Sequence, residues 1–543
     1  MSSFIDLSTQ REQLVLFTNS LDEVIPHDHP VRLFDDIVRK LDFSRIEQDY
    51  VLVKGRPPIH PRVIISVLLW GLLNGVRSSR KLEAALENHL DFRWLTGQLS
   101  IDHTTLSQFR QARTVELQDF FERIVCLGRD VGLLRFERAA FDGTRTKAHN
   151  RRSGTRTKEQ LEAERAEIKQ LFAALEQQAV QEDVAEAQAE FQLLKANASE
   201  KTAKQPTAAE LLTRKQRIEA ALAAYQQLGD DGKKLPERLP ITDPESRVMP
   251  NKEGGFAPNY TPNALVDVHS EMITCCDVTA DLTDEDALLP AIQQVQTSFG
   301  PTAKLQAVLV DGAFPTGHNL SALEAAQITC YAPSDTTDPA QHPAQRSDLS
   351  QPVTSEQLAK LPLMTKRDAK KLPEHERQQF DKGAFVYVAE NDTYVCPQGK
   401  TLTYKNTTPL KVPHKPTTQR RRYLAQASDC AACPLKKLCL QQDEGKARSV
   451  SRDQYEPARE RLAAHMAKPE SQEIYQLRRH AGETPFAFIK QHLGVRQFLL
   501  RGLKKVKQEW RWLCCAYNLR RLMTLWSSRA GPASDTIAAL LPR

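Results

Sequence analysis

No stretch of this sequence is apolar for long enough to cross a bilayer: the longest apolar run, Val63 to Leu73, falls well short of the ~20 residues a spanning helix needs. The N-terminus also lacks a basic segment followed by an apolar one, so a secretory leader is not expected, nor the oxidising compartment it would lead to. These two absences point to a cytoplasmic protein with no membrane association. Its ten cysteines are then expected to be reduced or metal-bound rather than paired. A strong charge imbalance is missing too. A net charge of +6 over 543 residues is weak as a sign of nucleic-acid binding.

The length exceeds what one hydrophobic core usually supports, so two or three folded units are expected. With 40% hydrophobic and 26% charged residues, the composition is that of an ordinary soluble protein. The placement of charge says more than its total. Arg145, Lys147, Arg151, Arg152, Arg156 and Lys158 form one basic cluster, and Arg496, Arg501, Lys504, Lys505, Lys507 and Arg511 form another. Either alone reads as a solvated face. Both lie near candidate catalytic carboxylates, which favours an anionic partner.

Residues 1–135 read as helical, with apolar positions at helical spacing through Val63, Val67 and Trp70 and through Leu117, Phe120, Ile124 and Leu127. Ser78 or Ser79 can cap a helix carrying Leu82, Ala85 and Leu86, and Asp102 or Thr104 can cap another, a pair that could form a helix-turn-helix. RFERAAFDGTRTKA then reads as a buried strand ending in Asp142 and Gly143. From about 157 to 232, stripes through Leu161, Ile168, Phe172 and Leu175 and through Leu211, Ile218, Leu222 and Tyr225, with Pro206 between, predict an inserted helical hairpin. TPNALVDVHSEMITCCDV predicts a β-hairpin turning at His269 and Ser270, followed by a helix at about 284–298. LQAVLVDGAF is a second apolar strand ending in an Asp-Gly pair, at Asp311 and Gly312. Residues 335–470 look like an insertion of little periodicity. Beyond it, Thr484 and Pro485 suggest a helix start with Glu483 beside it, and Leu499, Leu503, Val506, Trp510, Leu513 and Tyr517 define one amphipathic face.

An Asp-Gly pair usually marks a turn. Here each Asp terminates an apolar strand that can aim a carboxylate rigidly, and Glu483 appears later among Arg and Lys. Phosphodiester chemistry needs such a set, because two divalent cations about 4 Å apart are held by three or four carboxylates. Asp267 and Asp277 are rival carboxylates that more often satisfy turns or edges. His149 and His269 could act as bases, but metal-activated water makes a histidine unnecessary. Cys396, Cys430, Cys433 and Cys439 have spacings that suit a tetrahedral structural Zn2+, the alternative being four unligated thiols. Cys514 and Cys515 read as core.

These stretches resemble the bacterial insertion-sequence DDE transposases over most of the chain. HPVRLFDDIV, GRPPIHPRVIISVLLWGLLNGVRSSRKLE and DHTTLSQFR resemble the family's helical N-terminal domain. FDGTRTKA and VLVDGAF resemble its two catalytic Asp motifs, and ETPFAFIKQHLGVRQFLLRGLKKVKQEW its Glu-bearing block. Arg479, Glu483 and Lys490 match the spacing of the third motif, whereas the Tyr position holds Gln476, with Tyr475 one place earlier. The resemblance implies an α/β fold, an RNase H-like mixed-sheet core with an all-α N-terminal domain and inserted helical-hairpin and cysteine-bearing segments. Its divisions are 1–135 helical and DNA-binding, 136–156 core, 157–235 hairpin, 236–334 core, 335–470 insertion with the zinc candidates, 471–530 C-terminal helices of the core, and 531–543 tail. It further implies Mg2+ or Mn2+ on Asp142, Asp311 and Glu483, and DNA contacts from Arg145, Lys147, Arg479, Lys490, Arg496 and Arg501. The expected activity is cleavage and strand transfer at element ends into target DNA, by a homodimer or larger assembly. The alternatives are an inactive DNA-binding descendant and a nuclease that stops after hydrolysis.

Overall fold

The computed structural model describes residues 20–48, 58–112, 114–150, 154–189, 208–230, 235–251, 254–300, 303–366, 369–411, 417–440 and 447–530. Gly55, Arg56, Pro57, Arg151, Arg152, Pro206, the side chain of Leu175 and the tail from 531 lie outside what is described.

Besides two single turns, Leu21–Val24 and Ser44–Glu47, six helices lead the described chain: α1 (Pro30–Arg39), α2 (Pro61–Leu73), α3 (Ser79–Asn88), α4 (Leu90–Thr96), α5 (His103–Ala112) and α6 (Thr114–Asp130). Proline at the first turn of α1 and α2 costs no hydrogen bond, and His29 and His60 cap them by accepting from the amides of Val31 and Arg62. Asp102 caps α5 through the Thr105 amide at 2.9 Å, and its hydrogen bonds to Thr105 hold its carboxyl at about 2. α3 and α5 pack together as the helix-turn-helix reading requires, but α4 stands between them, so no tight turn joins the pair.

Five strands build the central sheet: β1 (Arg138–Gly143), β2 (Phe256–Asp267), β3 (Ile273–Thr279), β4 (Ala307–Leu309) and β5 (Thr329–Tyr331), in the order β3-β2-β1-β4-β5. β2 runs antiparallel to β1 and β3, while β1, β4 and β5 are parallel. Two short strands, Thr146–Lys147 and Arg247–Pro250, extend β2. Ala139, Ala140 and Phe141 in β1 and Val308, Leu309 and Val310 at β4 are all buried, as strands covered on both faces must be. Because β1 and β4 are parallel neighbours, their carboxyl ends, and so Asp142 and Asp311, share one edge.

Around the sheet lie α9 (Leu288–Phe299), α10 (Gly317–Ala325), α11 (Glu456–Met466), α12 (Pro469–Gln491) and α13 (Leu503–Ala530), after the hairpin pair α7 (Lys158–Ala189) and α8 (Ala208–Asp230). One apolar cluster runs from Ile25 through the sheet to Met523, so the N-terminal helices and the sheet share a core. The expected face of α13 is buried at Val506, Trp510, Leu513 and Tyr517, but Leu499 precedes the helix and is exposed. The hairpin has its own small cluster around Leu161, Ile168, Ile218 and Tyr225. No described helix is long and apolar enough to cross a membrane.

Two expectations are corrected. The irregular insertion contains a five-stranded antiparallel sheet: β6 (Val386–Val388), β7 (Thr393–Val395), β8 (Thr401–Leu410), β9 (Thr418–Leu424) and β10 (Ser449–Asp453). Its core is built on Phe380, Phe385, Tyr394 and Tyr423. Helical structure then resumes at Glu456. The second correction concerns Pro485, which lies inside α12 rather than at its start. Burial of Ala481, Gly482, Pro485, Phe486 and Ile489 carries the helix across the hydrogen bond that proline cannot donate, so Glu483 is a mid-helix residue.

Candidate active site

Asp142 is the penultimate residue of β1, and Asp311 stands two residues beyond β4. Each carboxylate is oriented by a backbone amide, Gly143 N donating to Asp142 Oδ1 at 2.8 Å and Ala313 N to Asp311 Oδ1 at 2.9 Å. Arg478 of α12 joins them: its Nη2 is 3.1 Å from Asp142 Oδ2 and 3.8 Å from Asp311 Oδ2. Burial pushes the Asp142 carboxyl up to about 6, outweighing the opposite pull of Arg478. Arg478 Nε is itself buried with no hydrogen-bond partner.

A third carboxylate comes from a place the sequence did not single out. A Cβ on Gly143 would lie 2.5 Å from Asp284 Oδ2, so the Asp284 carboxylate rests against the residue following Asp142. Burial raises the Asp284 carboxyl, with Asp311 adding to the rise. Asp281, Asp284, Glu285 and Asp286 make an acidic run before α9, but in sequence such a run also describes a solvated loop.

Glu483 is not gathered with the aspartates. One stripe of α12, at helical spacing through Tyr475, Arg478 and Gly482, faces β1. A Cβ on Gly482 would be only 3.6 Å from Asp142 Oδ2, whereas Glu483 and Arg479 lie one position round and are exposed. Neither makes a hydrogen bond or ion pair with Asp142 or Asp311 among the described residues. The Arg that meets the aspartates is Arg478, which keeps the Tyr-x2-Arg spacing from Tyr475; on that register the Glu position holds Gly482. Burial raises the Tyr475 hydroxyl, which lies in the field of Arg478 and both aspartates.

The predicted basic residues converge beside this edge. Lys490 Nζ donates to Thr144 Oγ1 and to Arg145 O at 3.1 Å, tying α12 to the turn after β1. Arg145 Nη1 donates to Pro250 O at 2.8 Å. Lys147 bridges to Gln497 and accepts from Phe498 N at 2.9 Å, and Arg501 Nε donates to the His149 carbonyl at 3.1 Å. The segments that carry the two clusters, some 350 residues apart in sequence, therefore meet at Lys147 with Gln497 and at His149 with Leu499 and Arg501, and Arg496 is exposed. Asp267 is a turn residue: it accepts from Phe136 N at 3.1 Å and from Ser270 N at 2.8 Å. Asp277 pairs with Lys507 at 2.8 Å, and His269 is exposed at the β2–β3 turn.

Cys396, Cys430, Cys433 and Cys439 line one cavity of about 30 Å3 where β8 and β9 meet the rest of their sheet. All four are free, and burial raises the thiols of Cys396, Cys433 and Cys439, the last to about 12. Among the described residues no three His, Cys, Asp or Glu side chains converge tightly enough to hold a metal ion. The four thiols that the spacing assigns to zinc share this one cavity without that convergence, and Cys396, Cys430 and Cys439 pack against the Tyr394 and Tyr423 core. Cys514 and Cys515 are buried in the main core, as expected.

Against Mg2+ or Mn2+, the fit is one of donor chemistry. Asp142 and Asp311 offer oxygen ligands on rigid strand ends, and the desolvated Asp142 is a carboxylate whose charge calls for a cation. Two family models match the chain: the transposase DDE domain over residues 395–523, and the transposase domain DUF772 over residues 19–112. No curated protein matches it. The first match spans Arg478 and Glu483 and the second spans α1 to α5, and together they indicate an insertion-sequence DDE transposase.

Proposed function

We propose that the chain cuts the ends of its insertion sequence and joins them to target DNA in the cytoplasm, using an RNase H-like core in which Asp142 and Asp311 hold Mg2+ or Mn2+. The observation that carries this reading is the meeting of two strand-terminal carboxylates on parallel neighbours, with a buried Arg478 between them. Bound there, the cations would supply an activated attacking oxygen and a stabilised leaving oxygen. Asp142 and Asp311 are the fixed donors, and Asp284 and Glu483 compete for the place of third acid. Arg478 neutralises the aspartates from α12. Arg145, Lys147, Arg479, Lys490, Arg496 and Arg501 border the DNA path, and two ends to be joined call for a homodimer or larger assembly.

The test is metal-dependent cutting and joining of labelled DNA carrying the gene's flanking sequences, comparing wild type with Asp142→Ala, Asp311→Ala, Asp284→Ala and Glu483→Ala. The first two variants are expected to bind DNA and do neither step. Loss in Asp284→Ala but not in Glu483→Ala would name the third acid, and the reverse would mean that α12 turns when DNA binds. A second reading, a DNA-binding protein without turnover, is favoured by the exposure of Glu483 and by Arg478 standing on the aspartates. Wild-type binding without cutting in either metal would establish that reading.

A further inference from the structure

The outward face of β8 and β9 is a basic surface that the catalytic edge does not use. Between Thr393 and Ser428 the sequence has no Asp or Glu, yet carries seven Lys and Arg. β8 is exposed at every position from Thr403 to Pro409, and β9 from Gln419 to Arg422. Pairing of Asn406 with Arg422 and of Thr408 with Arg420 puts both arginines on one face, about 7 Å apart at two-residue strand spacing. The register shift between Tyr404 and Asn406 leaves Lys405 as the extra, outward residue beside them.

A solvated face is the ordinary reading of such charge, and one lysine on an edge strand protects against sheet-to-sheet pairing. Neither accounts for Arg420 and Arg422 in the strand between β8 and β10, with no carboxylate partner among the described residues. Arg421, by contrast, is committed to the fold: it pairs with Asp392 and lies 4.8 Å over the Tyr404 ring. Asp453, opposite Arg420, is taken up by Arg459 at 3.0 Å, so it does not cancel the charge. The root of this surface also joins the segment that follows Asp311. Gln419 and Gln454 hydrogen-bond to each other at its root, and the next residue, Tyr455, packs on Gly317, six residues beyond Asp311.

We propose that this face grips the phosphate backbone of the DNA handled by Asp142 and Asp311, through Lys405, Arg420 and Arg422. The inference rests on DNA being the substrate, and the experiment separates the two. Affinity for a mixed-sequence duplex is measured against salt for the full chain, for Lys405→Ser/Arg420→Ser/Arg422→Ser, and for a charge-matched control, Arg165→Ser/Lys169→Ser/Arg217→Ser. Three lost phosphate contacts should lower the slope of log affinity against log salt by about 2 to 3 and weaken binding about tenfold or more at low salt. The control should move neither, and Arg420→Lys/Arg422→Lys should keep the slope. If the triple variant fails to fold, Lys405→Ser alone should lower the slope by about one. Wild-type binding with no change of slope in these variants, or with an equal change in the control, would overturn the proposal. Wild type that binds no DNA would overturn the reading beneath it.

Discussion

Asp142 sits where ionisation opposes folding. Its carboxyl is raised to about 6 chiefly by burial, so the protonated form is the one the fold prefers. Stability from this group is therefore complete below pH ~4 and lost as pH rises through about 6, at a cost of at most about 2 kcal/mol once residual solvent is allowed for. Without divalent metal, Asp142→Asn should melt above wild type at pH 8 and level with it at pH 4; added Mg2+ should raise the wild type and not the variant. An equal or lower melting temperature for the variant at pH 8 would refute the assignment. The two aspartates were legible because an apolar strand ending in Asp-Gly announces both burial and direction. Arg478 was not, because motif spacing pointed to Arg479, and only the phase of α12 against β1 tells the two apart. Asp284 was hidden for the same kind of reason, since its place beside Gly143 comes from tertiary packing.

At the scale of elements, the close approach of α10 to the segment joining β10 and α11 depends on a missing side chain. A Cβ on Gly317 would lie 2.4 Å from the Tyr455 Cβ. Gly317→Ala should destabilise the protein by about 1–3 kcal/mol in urea denaturation. In a double-mutant cycle, Gly317→Ala with Tyr455→Gly, which removes the clashing Cβ, should cost less than the sum of the two; strict additivity would mean that the clash is not there. Helices with long apolar stripes, α7, α8 and α13, could be read from spacing alone. The second sheet could not: two of its five strands are only three residues long, and β8 buries only Leu402 among its exposed positions, so no alternation marks it. Pro485 misled in the other direction, because proline favours a helix start on local grounds and only a buried face on both sides overrides it.

Across the whole molecule, the first helices and the last are stitched through one buried carboxylate. Glu509 accepts from Arg77 Nη2 at 2.7 Å and from the amides of Leu499 and Leu500 at 2.9 Å, while Arg110 Nη1 donates to the Arg77 carbonyl at 2.8 Å. Glu509→Ala strands the Arg77 charge and two amides, and should cost about 3–5 kcal/mol while leaving a single cooperative transition. A separate, earlier melting of the N-terminal helices would instead show that they fold on their own. Composition and length suggested separate units, and nothing in a sequence reveals that two helical segments share one core. That sharing has a consequence for synthesis. α13 packs on α2, α6 and β3, yet it leaves the ribosome roughly 370 residues after α6, tens of seconds later at 5–20 residues per second. Until then the apolar faces of α2 and α6 wait uncovered in the nascent chain, open to chaperones. A message cut short before codon 503 would yield a polypeptide with both aspartates and no completed core to aim them, so a broken gene would be read into protein without producing a cutting enzyme.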